Sequence, residues 1–300
     1  ALGGVAGSDL DTMSSDTLTK GFGKWSIIMA VALVFFAGIS VLSTKERRIV
    51  VNNEKFSFKA AINAIKQNDQ LLVFMLFAMI SNAGYYMTSG ISGYYFDAVA
   101  GDLTLQSKFN LMGTVGSVLS LLVIPVCSKF MSNRSTYKLS LGMVAAGYIG
   151  MAIVGYGFGG NVYALGACYI LTSLGTGSMF VNQTVMLADV VDYGEYKNGE
   201  RNESITFSMK GFLQKMAYTI QTIILFVSLG VSKYDGSLHN ANPESAKLAI
   251  TIMLTVIPPV LFAISLIIFS TKFKLHGEFM ENVTKIVTEN RAKREAAANE

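Results

Sequence analysis

Three hundred residues, 51% hydrophobic and only 15% charged, with a mean hydropathy of +0.44, exclude an ordinary soluble domain, where about a quarter of residues are charged. The charges gather in short patches between long apolar runs, which is the distribution of a polytopic membrane protein. The net charge of +4 comes from basic residues flanking those runs, so no nucleic-acid partner is expected.

The chain opens on "ALGGVAGSDLDTMSSDTLTKGFGK", without an initiator Met and without a charged segment feeding an apolar core. It is therefore not a secretory signal. Residues 1–24 read as an extracellular loop, and the expectation is that the chain begins partway through a longer protein. Seven runs then follow that are long enough to cross a bilayer, at about 20 residues each. They cover residues 25–43, 71–95, 109–127, 139–159, 162–188, 205–232 and 248–271. None alternates as a barrel strand does, and a backbone in lipid must satisfy its own hydrogen bonds, so the runs are predicted helices.

Between the first and second runs, residues 44–70 form the longest internal connection. Within it "KFSFKAAINAIK" puts Phe58, Ile62 and Ile65 on one helical face, as in a short helix lying on the membrane surface. Pro125 sits near one end of the third run, and Pro258-Pro259 interrupt the last at mid-depth, predicting bends. These are either packing bends or bends that matter for motion. Ala146 and Gly150 give a small-xxx-small pair, and Gly166, Gly175 and Gly177 thin the fifth run; both are read as packing features. The tail from 276 to 300 carries Phe279, Met280, Val283, Ile286 and Val287 at helical spacing before turning wholly polar. It reads as a surface helix that frays, with partner binding as the alternative. Cys127 and Cys168 lie in apolar runs and are too few for a disulfide framework; His239 and His276 lack ligand-like neighbours, so no metal site is expected.

Lysine and arginine set the orientation. Of 24, seventeen fall in the connections after the first, third and fifth runs and in the tail; five fall in the alternate loops, and Lys210 and Lys215 lie inside the sixth run. The excess places the tail in the cytoplasm and the N-terminus of this chain outside, across the cell membrane.

Polar residues inside the runs are arranged in stripes. Around Lys215, at 100° per residue, Ser204, Ser208, Gly211, Thr219 and Thr222 fall within about 40° and Tyr218 within about 60°. Lys215 is about 15 Å into its run, near the midplane, where an ammonium costs at least about 2.5–3.5 kcal/mol unless it meets water or an anion. Lys210 lies about 140° away and nearer the run's end, where it is expected to snorkel to the interface. The fifth run aligns Tyr169, Ser173, Thr176, Phe180, Gln183 and Thr184; the second offers Asn82, Tyr85, Tyr86 and Ser89. Taken singly, each is explained by an interhelical hydrogen bond. Together, three stripes and a central lysine describe a hydrated cavity of hydroxyls, amides and rings, suited to a neutral polyol. Past the fifth run, Asp189, Asp192 and Glu195 are spaced three apart and share a face, with Lys197 and Arg201 close by. They are either a solvated loop with weak ion pairs or a gate whose pairs break when that side opens.

The stretch "MLADVVDYGEYKNGERNESITFSMKGFLQK" resembles the signature region of the glycoside–pentoside–hexuronide:cation symporters, a branch of the major facilitator superfamily. The likeness rests on the Asp-x-x-Asp-Tyr-Gly-Glu-Tyr run, the Arg and Glu-Ser after it, and the intramembrane lysine. It implies an all-α membrane fold of two six-helix halves. Residues 25–43 would be the last helix of the N-terminal half, 44–70 the cytoplasmic inter-domain linker, 71–275 the C-terminal six-helix bundle, and 276–300 a cytoplasmic tail. By this resemblance Lys215, Gly211 and Phe180 match substrate-site positions, and Gln183, Thr219 and Tyr85 join them from the polar stripes. Asp189, Asp192, Glu195 and Arg201 match the charged network that closes the cytoplasmic side. The expected activity is alternating-access symport of a sugar or glycoside with Na⁺ or H⁺, without a further cofactor and without enzymatic chemistry. The expected partners are the sugar, the bilayer and the first half of the same polypeptide, where the family's cation-binding aspartates lie. Two other readings stand beside it: a non-transporting membrane regulator or assembly partner, and an intramembrane enzyme using the Asp189/Asp192 pair.

Overall fold

The structure is a computed structural model that describes residues 15–44, 66–157, 161–199, 201 and 203–298. The surface helix expected around Phe58, Ile62 and Ile65 lies outside the described residues. The chain forms two units, Ala1–Phe56 and Ser57–Glu300. The first contributes one apolar helix, α1 (Ser15–Ser43), long enough to span a bilayer.

The second unit is built from α2 (Asp69–Tyr94), α3 (Thr104–Phe130), α4 (Asn133–Gly157), α5 (Val162–Asn198), α6 (Glu203–Val231), α7 (Glu244–Thr255), α8 (Ile257–Lys272) and α9 (Gly277–Ala298). All regular structure among the described residues is helical, and seven stretches are long and apolar enough to cross a membrane. The protein is an all-α, multi-pass membrane protein.

Sequence explains where these helices start and stop. Asn68 caps α2 by accepting from the Leu71 N–H at 3.0 Å, and Asn161 caps α5 by accepting from the Tyr163 N–H at 2.9 Å. α5 does not end at residue 188, where apolarity ends. It runs on through the acidic stretch to Asn198 and stops at Gly199, whose φ of 76° is left-handed and whose N–H bonds back to the Glu195 carbonyl at 2.8 Å. The acidic stretch of the signature region, through Asn198, is thus helical. At 1.5 Å per residue, α5 is about 55 Å long and outreaches a hydrocarbon core of about 30 Å.

The last run is broken rather than bent. Pro258 and Pro259 occupy the first turn of α8, and Val256 separates it from α7. Neither proline has an N–H to give the carbonyls of Leu254 and Thr255, so the ladder stops there. α2 extends into a π-helical turn, Tyr95–Val99.

α5 is the centre of one packing layer, flanked by α3 and α4; α2 packs on α6 and α8. Lipid removes most of the hydrophobic drive between helices, so close approach has to supply the association. A Cβ built on Gly116 would lie 2.3 Å from the Ile170 carbonyl oxygen, and one on Gly175 would lie 2.7 Å from that of Ser140. Both obstacles are backbone, which cannot rotate away. On α4 it is Gly147 and Gly150 that meet α5, while Ala146 is exposed, so Gly147 takes the place of Ala146 in the expected pair. An aromatic cluster joins α2, α4 and α8 around Phe77, whose ring lies 5.2 Å from Phe269, 5.3 Å from Phe74 and 5.6 Å from Tyr137.

Candidate functional site

Two features stand out, a cavity between α2, α5 and α6 and a charged cluster at one end of α5. The cavity is an open depression of about 440 Å³, lined by Tyr85, Tyr86, Phe180, Val181, Thr184, Lys210 and Gln214. Consecutive tyrosines on α2 point about 100° apart, which opens a corner. Phe180 of α5 fills that corner, its ring meeting Tyr85 edge to face at 5.1 Å. Tyr86 leans the other way, toward Tyr218 of α6 at 5.7 Å. Across the opening, the Lys210 ammonium donates to the Thr184 hydroxyl at 2.5 Å. The cavity therefore combines ring faces and edges, a hydroxyl, an amide and one ammonium, and among the described residues no carboxylate lines it.

Of the predicted substrate residues, Phe180 and Tyr85 come together here. Lys215, Gly211 and Thr219 lie on the exposed face of α6, opposite Leu213, Ala217 and Gln221, which pack inward. The Thr219 hydroxyl donates to the Lys215 carbonyl at 3.0 Å, and a side chain at Gly211 would meet nothing within 4 Å. Gln183 goes elsewhere. It is buried, and its amide donates to Ser81 at 3.1 Å and Tyr137 at 3.3 Å, inside the aromatic core. The polar face expected along α5 divides in the same way, because Ser173 and Thr176 are buried while Phe180 and Thr184 reach the cavity.

Lys210, like Val181 and Gln214, is a cavity residue that sequence reasoning missed. Its 140° offset from Lys215 suggested snorkelling, yet that offset places it on the side of α6 that packs against α5. Two lysines five residues apart on opposite faces of one helix cannot share an environment, and that was the available signal.

At the end of α5, Asp192 and Glu195 meet two arginines. Arg201 donates to Asp192 at 2.9 Å and Glu195 at 3.3 Å, and also to Glu203 at 2.8 Å. Arg291, from the tail helix α9, donates to Glu195 at 2.6 Å and Asp192 at 2.8 Å. The Glu195 side chain is 6% exposed, so its charge is compensated by these guanidinium groups rather than by water. The carboxylate of Glu195, hydrogen-bonded to Arg291, holds that guanidinium above its ordinary pKa. Asp189 does not join them. It lines a separate cavity of about 630 Å³ with Arg134, His276, Lys285 and Glu289. There Arg134 is hydrogen-bonded to His276, and burial, followed by the charges of Arg134 and Lys138, pushes the imidazole below its usual pKa. Three-residue spacing thus holds two of the three acids on one cluster. A latch between α2 and α5 completes this end, with Asp69 accepting from Lys197 at 2.6 Å and from the Tyr193 hydroxyl at 3.0 Å.

Arg291 was also missed as a site residue. The tail helix docks along part of its length: Val283 and Val287 are buried, α9 packs on α5, and Arg291 follows at the same four-residue interval. Among the described residues, no three His, Cys, Asp or Glu gather as they would around a metal ion.

Residues 10–277 match the family described as MFS/sugar transport protein. The isoprimeverose transporter of Lactiplantibacillus pentosus is 30% identical over 258 residues, covering 84% of this chain and 52% of that protein. The lactose permease of Leuconostoc lactis is 24% identical over 280 residues, covering 90% and 42%. The glucuronide carrier protein homolog of Escherichia coli is 24% identical over 234 residues, covering 77% and 50%. The chain spans about half the length of the curated relatives it matches.

Proposed function

Since this chain belongs to the MFS/sugar transport family, among the glycoside–pentoside–hexuronide symporters, we propose that it serves in a secondary transporter that moves a sugar or glycoside together with Na⁺ or H⁺. The observation that carries this reading is the open cavity of Tyr85, Tyr86, Phe180, Thr184, Lys210 and Gln214 between three helices of a membrane bundle. Rings stack on the apolar face of a pyranose, and hydroxyl and amide groups bond its edge. A volume near 440 Å³ falls within the usual range for small-ligand pockets, about 300–1,000 Å³.

In this reading the residues from α2 to α8 form one half of an alternating-access carrier, and the other half closes the site from across the exposed polar face of α6. That face carries Lys215, Gly211 and Thr219 and is unsuited to lipid. Lys215 would sense the occupancy of carboxylates on the facing half, so that cation and sugar favour each other's binding by one common factor. The end bearing Arg134, Arg201 and Arg291 lies in the cytoplasm of the cell that carries the protein in its plasma membrane, in line with the lysine and arginine excess. There Asp192, Glu195 and Arg201, with Asp189 beside them, serve as the gate.

Neither alternative draws comparable support. The enzyme reading needs Asp189 and Asp192 on one metal, yet Asp192 is held by two arginines and Asp189 faces a different cavity. A regulator or assembly partner leaves a sugar-sized cavity without a use.

The test is uptake by vesicles containing the full-length protein, under an imposed Na⁺ or H⁺ gradient. At least one labelled glycoside from a broad panel is expected to concentrate inside, and only while the gradient lasts. A panel in which nothing accumulates under either gradient would overturn the reading.

A further inference from the structure

At the end of the bundle opposite the acidic cluster, residues 232–243 join α6 to α7 in a tightly bonded hairpin. Buried Asn242 holds it together. Its amide nitrogen donates to the carbonyls of Asp235 and His239 at 2.8 and 2.7 Å, and its amide oxygen accepts from the Asp235 N–H at 2.8 Å. That bonding keeps Lys233 (φ 60°) and His239 (φ 44°) in left-handed backbone, which residues other than glycine seldom adopt. The hairpin so shaped reaches over the π-helical turn of α2. His239 Nδ1 lies 2.8 Å from the Asp97 carboxylate, and the Tyr234 ring meets Tyr94 edge to face at 5.4 Å. Asn240 packs on Gly101, where a Cβ would lie 3.1 Å from its amide nitrogen.

The ring and amide contacts do not change between pH 5 and 8; the histidine contact does, because an imidazole ordinarily takes up its proton near pH 6.5. A charged imidazolium makes a stronger bond to a carboxylate than a neutral imidazole does. The elements around His239 bring Asp97 and Tyr94 from α2 and its π-helical turn, and Lys233, Tyr234 and Asp235 from the hairpin itself. At the start of α7, Lys247 donates to Glu244 at 3.2 Å, and before α3 the Asp102 carboxylate accepts from the Thr104 hydroxyl at 2.6 Å. Burial, followed by the charge of Asp97, raises the Tyr234 hydroxyl above its ordinary pKa, so it stays neutral while His239 titrates. We propose that this hairpin is a pH-sensitive clip on the end of α2, closing when His239 carries a proton facing Asp97 and loosening when that proton leaves. The sign follows from linkage: closure and protonation favour each other, so the clip holds in acid and slackens as pH rises through the imidazole range. The distribution of lysine and arginine assigns this end to the outside. The clip joins the outer ends of α2 and α6, the helices that supply Tyr85, Tyr86, Lys210 and Gln214 to the cavity, so external pH governs how freely those two walls part. The clip needs no substrate and stands apart from the transport reading.

Hydrogen–deuterium exchange on the full-length protein in lipid nanodiscs tests the proposal, with rates corrected for the intrinsic effect of pH. Amides of residues 94–101 and 234–242 are expected to exchange about threefold more slowly at about pH 5.5 than at about pH 8. The effect is modest because the His239 side chain is 53% exposed, where water screens the pair. His239→Gln and Asp97→Asn are each expected to remove the difference, and His239→Lys, charged at both values, to give the slow rate at both. Equal corrected rates in the wild-type protein would overturn the proposal, and so would a His239→Gln variant that keeps the wild-type difference. If that variant fails to fold, Asp97→Asn puts the same question by removing the charge that His239 faces. Should every variant misfold, the wild-type titration decides: its midpoint is expected between about pH 5 and 8, and a change centred outside that range would sink the clip.

Discussion

Lys210 and Lys215 show how much five positions on one helix can change the chemistry of a side chain. Both were visible in the sequence as ammonium groups inside an apolar run. Which one met a ring-lined cavity was not visible, because a helical wheel gives angles within a helix but not the direction of its neighbours. Lys215 is exposed on a polar face, so removing it takes away charge without leaving a cavity in the packing. Lys215→Ala is therefore expected to abolish uphill accumulation while the detergent-solubilised protein keeps its elution profile. Accumulation at the wild-type level would remove the coupling role. Gln183 teaches the opposite lesson. A glutamine amid sugar-binding residue types looked like another of them, yet Ser81 and Tyr137 take up its amide in the core. Sequence spacing does not tell a polar group that meets a ligand from one that satisfies a buried neighbour.

Among the helices, apolar runs announced the elements well and their ends poorly. A hydropathy pattern stops where greasy residues stop, but α5 stops only where Gly199 turns left-handed. The tandem prolines were legible as a disturbance; that they divide the run into α7 and α8 follows from two successive missing donors. The tail helix was legible as amphipathic, and its docking partner was not, since the acids of α5 were assigned to a loop. Arg291 makes four hydrogen bonds to Asp192 and Glu195. Hydrogen bonds to charged groups are worth about 1.5–3 kcal/mol. The Arg291 side chain is 38% exposed, so solvent screening reduces the whole cluster to about 1–2 kcal/mol. Arg291→Ala is accordingly expected to speed amide exchange across α9 by about tenfold, read by hydrogen–deuterium exchange. Unchanged protection would mean that Val283 and Val287 hold the helix by themselves.

For the whole molecule, the membrane class and the bundle were readable from composition and run length, and the family from one signature stretch. Orientation rests on the distribution of lysine and arginine, and it can be checked directly. With other reactive thiols removed, a cysteine at exposed Lys108 is expected to react with an impermeant maleimide on intact cells, whereas one at exposed Lys285 reacts only after permeabilisation. The reverse pattern would invert the proposed topology. One further consequence follows from α5 being a single unbroken rod. Phe180 and Thr184 at the cavity ride on the same rigid shaft as Asp192 and Glu195 at the clasp. Eleven residues, about 16 Å, separate Thr184 from Glu195. On the transport reading proposed above, a tilt of α5 at the cavity swings the acids like the end of a tiller, so loading and unlatching need no relay between them.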